Sequence, residues 1–285
     1  MPRYSAAEIK SAKQAYQFLI NAGFPSKGQA IELLTGGDLS KCPITKKDVL
    51  RAFELFGEHP ARIKGTLQNR KVGLAPDDFD KPLVREKLTF YSDIVTIESQ
   101  EFLITIAQPV HLIQCTPLAR CDGPTCFIEL GNHIAKLRAE RYDVAEVIVD
   151  REPAFSMLQG KYPGIAIRLG GAGDHNPHVD QACRSLKDMY RCVRLSLQWE
   201  AFPKDWAPAL VSFCVCRLNM HKGHALEAAP RVSVLGFKPR FDYEHDLGFG
   251  QYCEVKDPSS ISNDVTSSRT HSCISFYPMN NRQHS

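Results

Sequence analysis

The sequence contains no apolar stretch near the ~18 residues that a membrane span requires. Its opening, MPRYSAAEIKSAKQ, lacks the apolar centre of a secretory signal, so an intracellular protein with no membrane partner is expected. No CxxC occurs among the 10 cysteines, and neither His175/His178 nor His221/His224 is followed by a cysteine pair, which argues against structural zinc. The thiols then read as reduced and mostly structural, Cys214 and Cys216 as small buried hydrophobes, with a disulfide as the open alternative. A strong excess of either charge is also missing. The 35 Lys and Arg against 32 Asp and Glu give a net +3, so any nucleic-acid surface must be local. Glycine and proline, 18 each, are too few and too scattered for low complexity, and no internal repeat is visible. What remains is an ordinary globular composition: 285 residues with 43% hydrophobic content, enough for one large or two modest domains with a sizeable core.

The first 65 residues pattern as helices. Ser5 with Glu8 makes a capping box before Ile9, Ala12, Tyr16, Leu19 and Ile20, and Gly23 and Pro25 stop that helix. Ser26 starts a second through Ala30, Leu33 and Leu34, and Thr45 caps a third with Val49, Leu50, Phe53 and Phe56 on its apolar face. Residues 66–87 pattern as a linker. From His59 to Ala75 no acid occurs while Arg62, Lys64, Arg70 and Lys71 bring positive charge, and Asp77, Asp78 and Asp80 then reverse the sign, either a solvated segment or a basic strap on a phosphate backbone.

From Leu88 the character changes. Residues 88–97, 102–106 and 110–115 are rich in β-branched and aromatic side chains and predict an antiparallel three-stranded meander. A helix over about 124–140, with Phe127, Leu130, Ile134 and Leu137 on one face, leads to a strand at 144–149. A short helix at 155–158, a strand at 164–169, a long helix at 179–199 and another at 208–220 follow. A tail with strands at 249–255 and 273–277 ends the chain. The succession β-β-β-α-β-α-β-α predicts an α/β domain with a five-stranded mixed sheet and flanking helices. A ribonuclease-H-like sheet has this order of elements. The expected division is a helical unit over 1–65, the linker over 66–87, the core over 88–225, and a β-rich segment over 226–285 that reads as incomplete.

Three acids stand where chemistry is plausible. Asp93 lies mid-strand between Phe90, Ile94 and Val95, where a carboxylate is expensive unless paired or bound to a cation. Strand alternation puts it on one face with Tyr91 and Val95. Asp150 ends the apolar run VIV, at the strand end where α/β sheets usually bind ligands. Asp180 lies in the first turn of the long helix. Each also has a plain explanation, a helix cap for Asp150 and a dipole partner for Asp180. Arg184, Lys187, Arg191 and Arg194, spaced three, four and three apart, form a stripe on that helix with Asp180 at its head, opposite a core face of Leu186, Tyr190, Val193 and Leu197. The stripe is either a phosphate-backbone surface or a solvated basic face.

Several strings, in order, resemble the integrase region of copia-type retrotransposon polyproteins. GFPS at 23–26 and CPITKKDVLRAFELFGEHPARIKG at 42–65 are similar to the helical segment upstream of that core. YSDIVTIESQEFLITI at 91–106 resembles the first aspartate strand and its hairpin partner, and VIVDREPAF at 147–155 the second aspartate motif. GGAGDHNPHVDQACRSLKDMYR at 170–191 resembles the third motif, and FGQYCEV with SSRTHSCISFYP the small β segment behind the core.

The resemblance implies a ribonuclease-H-like fold whose Asp93, Asp150 and Asp180 hold two Mg²⁺ (or Mn²⁺) ions for 3′-end processing and strand transfer. It further implies that Arg184, Lys187, Arg191 and Arg194 grip phosphates, that the partners are retroelement ends and target DNA, that the protein works in the nucleus, and that it self-associates. Two positions depart from the family pattern. Arg151-Glu152 replaces the usual Asn-Gly, and Cys183 stands where the catalytic glutamate is expected, one helical turn after Asp180. The function expected is therefore an integrase-like transferase or a degenerate relic that binds nucleic acid without cutting it. A ribonuclease-H-type nuclease is the third reading.

Overall fold

The computed structural model describes residues 4–36, 39–59, 61–62, 87–150, 153–156, 158, 160–170, 176–199, 201–223, 226–235, 245, 247–256 and 270–276. Lys64, Arg70, Lys71, the acids at 77, 78 and 80, and Arg151-Glu152 lie outside these residues, as does most of the linker. Three helices come first: α1 (Ala6–Asn21), α2 (Lys27–Thr35) and α3 (Lys46–Phe56), each opened by a reciprocal capping box, Ser5 with Glu8, Ser26 with Gln29 and Thr45 with Asp48. Their shared core gathers Ala15, Phe18, Leu19, Leu33, Val49 and Ala52, joined by Cys216 and Met220 from the far end of the chain. Ile9 and Phe56, expected on the apolar faces, are 37% and 38% exposed. The small side chains of Ala12, Ala15 and Ala52 are fully buried, so the close approach centres on them and the larger neighbours fall at its rim.

The sheet is built as expected. β1 (Lys87–Ile97), β2 (Gln100–Gln108) and β3 (Leu112–Pro117) form the antiparallel meander. The β1–β2 connection is Glu98-Ser99, both at positive φ (50° and 61°), as a two-residue hairpin turn with the right twist demands. α4 (Gly123–Ala139) carries the chain to β4 (Asp143–Val149), parallel to β1, and α5 (Pro153–Ser156) leads on to β5 (Ala166–Leu169), parallel to β4. The strand order β3-β2-β1-β4-β5, with only β2 antiparallel to both its neighbours, is that of a ribonuclease-H-like sheet. One face, with Leu88, Phe90, Leu103 and Val147, packs on Leu130, Ile134 and Leu137 of α4. Phe127, expected on that helix face, is instead 37% exposed and tilted against the Tyr162 ring at 4.7 Å.

The other face, with Val95, Phe102, Ile104 and Ile113, is covered by α6 (Pro177–Ser196) and α7 (Ala207–Leu218). β6 (Tyr252–Lys256) and β7 (Thr270–Ile274) form a separate antiparallel pair. Between them and α7 lies α8 (Pro230–Leu235), a helix inside the segment expected to be β-rich. Pro230 presets the backbone of its first turn, the Arg231 N–H donates to the Asn219 carbonyl at 3.0 Å, and Val234 joins the core under α4. Six residues with a valine-valine-leucine pattern carry too little periodicity to be told from a strand.

A polar row crosses the sheet on the α4 side. Ser92, Thr105 and Gln114 are successive cross-strand neighbours and all are buried. His133 of α4 lies fully buried on top of it, with Nδ1 at 2.9 Å from Thr105 Oγ1, Nε2 at 3.2 Å from Thr116 Oγ1, and its carbonyl accepting from Gln114 Nε2 at 3.3 Å. Burial holds this imidazole neutral, with its pKa pushed down to about 3, and the Lys136 charge adds to the effect. An unfolded histidine binds a proton below about 6.5 and the folded one does not, so stability falls as pH falls through that window. The expected loss for one such group is at most about 1.4 kcal/mol per pH unit between pH 6.5 and 4. Urea unfolding of the wild type and His133→Gln across this range should give a slope shallower by about that amount in the variant. Equal slopes would show that His133 takes no part in the acid response.

Candidate acidic site at the ends of the central strands

The register of the sheet sets the acids side by side. Ser92 of β1 is level with Val149 of β4, so the next residues in each parallel strand, Asp93 and Asp150, are neighbours across the ~4.8 Å between strands. Val149 is level with Leu169 of β5, and Gly170 follows, its N–H donating to the Val149 carbonyl at 2.8 Å. A Cβ at Gly170 would stand 3.7 Å from Asp150 Oδ1, so glycine keeps this flank open. On the other side Asp93 is level with Ile104 of β2, which is level with Cys115 of β3. One row therefore runs Cys115–Ile104–Asp93–Asp150 beneath α6.

α6 places its own groups over that row. Asn176 caps the helix, its Oδ1 accepting from the His178 N–H at 3.2 Å, and Pro177 occupies the first turn. Asp180, Cys183, Arg184 and Lys187 then recur at three, one and three residues, which is one helix face. Burial is the main reason the Asp93 carboxyl titrates above its ordinary value. The Ile94 N–H, donating to its Oδ1 at 2.7 Å, opposes this; the charges of Asp150 and Asp180 reinforce it, and Lys187 opposes it. Cys183 is pushed up to about 12, by burial first and then by the Asp93 charge, with Lys187 again opposing and Asp180 and Asp150 adding. Near neutral pH it is an uncharged thiol.

All three acids singled out in the sequence thus interact with one another through Asp93. Among the described residues no three His, Cys, Asp or Glu side chains gather closely enough to hold a metal ion. The residues described here therefore do not fit the two-ion arrangement, which needs carboxylate oxygens at about 2.0–2.1 Å from each Mg²⁺.

Beside Asp150 opens a cavity of about 300 Å³ lined by Tyr91, Ile148, Asp150, Gly170, Asn176, Pro177 and His178. The Tyr91 and His178 rings stand 4.9 Å apart, and Gln108 Nε2 lies 3.2 Å from Nδ1 of both His178 and His111. Gln108 and His111 escape sequence reasoning because only the register and the helix start bring them to Tyr91 and His178. The Asn-Pro pair ahead of the long helix was a legible signal for the cap. Of the basic stripe, Arg184, Lys187 and Arg191 are exposed, and Arg191 pairs with Asp188. Arg194 stands over the Phe202 ring at 4.8 Å and donates to the Trp199 carbonyl at 3.4 Å.

No family model matches the sequence, and no curated protein matches it. Among solved structures the chain is similar to the crystal structure of the catalytic core domain of BIV integrase, at 18% identity and a TM-score of 0.41, over 52% of this chain and 93% of that one.

The electrostatic coupling has a direct readout. In a carboxyl-carbon NMR titration, Asp150→Asn and Asp180→Asn should each lower the Asp93 pKa, and Lys187→Met should raise it. An Asp93 midpoint unmoved by all three would show that these groups do not share one site.

Proposed function

We propose that the chain is an integrase-like module of copia-type retroelement origin that binds DNA, and that its acidic site no longer assembles a working Mg²⁺ centre. The observation that carries this reading is the inventory around Asp93: a carboxyl whose pKa burial raises, a neutral Cys183 thiol on the face of α6 above it, and no trio of ligands among the described residues. A thiol is a soft ligand and Mg²⁺ a hard cation, so Cys183 does not replace a carboxylate there.

The same inventory suits phosphate. Full ionisation of three acids would repel a nucleic-acid backbone. The nearby Lys187 charge reduces that repulsion at the head of α6. Arg184 and Lys187, exposed on the same helix face, can then reach phosphate oxygens, with Arg191 one turn further on. Contacts of this kind carry no base information, so binding should be strong in low salt and indifferent to sequence. A second reading, an active transferase performing 3′-end processing and strand transfer, is favoured by one observation, the parallel register that sets Asp150 beside Asp93.

Fluorescence anisotropy on a labelled duplex tests the binding. Replacing Arg184 and Lys187 by Ala should weaken binding alike for unrelated sequences and reduce the slope of log K against log salt by about 1.8, for two phosphate contacts. An unchanged slope would contradict the proposal. In a strand-transfer assay with Mg²⁺ or Mn²⁺ the wild type should join no ends; joining that Asp93→Asn or Asp150→Asn abolishes would establish the second reading instead.

A further inference from the structure

The pairing of β6 with β7 sets Cys253 directly opposite Cys273. Two bonds at the foot of the pair define its phase: Gly250 N–H donates to the Ser275 carbonyl at 2.7 Å, and Ser275 N–H to the Gln251 carbonyl at 2.8 Å. Gln251 and Ser275 therefore occupy a hydrogen-bonded position, Tyr252 and Ile274 the non-bonded one, and Cys253 and Cys273 the next bonded one, by the alternation of antiparallel ladders. Opposed residues point to the same face, with Cα atoms about 5.5 Å apart at a bonded position. That lies within the roughly 4.4–6.8 Å that a disulfide spans. Both cysteines are free and half-buried, whereas Tyr252 and Ile274, on the reverse face, are 65% and 41% exposed. The thiols of the main core are set apart from them. Burial pushes Cys183 up to about 12 and Cys192 up to about 11, and raises Cys115 and Cys214 further, which keeps all four in the unreactive protonated form.

We propose that Cys253 and Cys273 are a modification site, a cross-strand dithiol that a hydroperoxide closes to a disulfide and that a thiol such as glutathione reopens. Closure with hydrogen peroxide proceeds through a sulfenic acid. One thiolate attacks a peroxide oxygen, releasing one water, and the second sulfur displaces the hydroxyl from sulfur as a second water. The two cysteines lose two electrons and two protons in all, and the peroxide is reduced to two waters. Reopening by two glutathione molecules returns the dithiol and leaves oxidised glutathione.

The bond should be labile. Cβ atoms at this position start about 5.5 Å apart, beyond the ~3.8 Å mean of disulfides, so the strands must be drawn together and the bond stores strain. Strained disulfides are the readily reduced ones. The strands to be drawn together are held at their foot, where Phe276 stacks on Phe249 at 5.4 Å and meets Trp206 edge-on at 5.0 Å, and Trp206 in turn meets Trp199 at 5.2 Å. Closure therefore fastens a hairpin that is already docked beside the end of α6, rather than creating a new contact.

The test uses the full chain in its reduced state. Wild-type protein is treated with a few equivalents of hydrogen peroxide, its remaining thiols are alkylated, and the digest is mapped by mass spectrometry without reduction. The expected product is one linked peptide pair joining Cys253 to Cys273, short of two hydrogens, which glutathione converts back to the two free peptides. Cys253→Ser and Cys273→Ser should each abolish that product and leave the partner thiol open to alkylation. The proposal is overturned if both cysteines remain alkylatable in the treated wild type, if either is found joined to a different cysteine, or if the linkage withstands glutathione. Because the wild type alone can give each of these results, the outcome does not hang on whether the serine variants fold.

Discussion

The carboxylate of Asp93 lies on the covered face of the central strand, and the cost of keeping a charge there governs the groups around it. β1 is flanked by β2 and β4 and carries Val95 and Ile97 on the same face, so Asp93 cannot reach bulk water freely. Its surroundings answer that cost in three ways. The Ile94 N–H donates to it, Lys187 supplies a positive charge from α6, and burial moves its pKa up from the ordinary carboxylate value. Cys183, within reach of the same negative charges, stays a thiol.

The two faces of the sheet handle polarity differently. On the α4 side the buried polar groups have partners: the Ser92 hydroxyl donates to the Ile104 carbonyl, Gln114 Nε2 to the His133 carbonyl, and Thr105 and Thr116 hold both ring nitrogens of His133. On the α6 side the acids are brought together without a comparable network. The first arrangement fixes structure; the second leaves groups whose protonation can respond to a ligand. The cavity lined by Tyr91, Asp150 and His178 opens at the strand ends beneath α6.

Much of this was legible in the sequence, for reasons tied to particular residues. The meander stands out because residues 88–97, 102–106 and 110–115 are rich in β-branched and aromatic side chains between short polar breaks. The crossover helix α4 stands out because Leu130, Ile134 and Leu137 recur on one face between two apolar strands. Asp93 is conspicuous as a charge inside an apolar strand. What alternation cannot supply is register. That Asp93 shares a row with Ile104 and Cys115, or that Cys253 faces Cys273, depends on turn geometry and on single bonds such as Ser275 to Gln251. Helix faces were misjudged where alanines set the closest approach, which left Ile9 and Phe56 at the rim, and the short α8 was too brief to show a period.

The proposed loss of divalent-metal binding turns on Cys183, because among the described residues Asp93, Asp150 and Asp180 do not gather closely enough to hold an ion. Calorimetric titration of the DNA-free protein with Mn²⁺ tests it most directly, comparing the wild type with Cys183→Glu. The account predicts no saturable binding by the wild type in the range where the variant binds, and loss of the variant's binding when Asp93→Asn is added. Saturable Mn²⁺ binding by the wild type that Asp93→Asn or Asp150→Asn removes would contradict it.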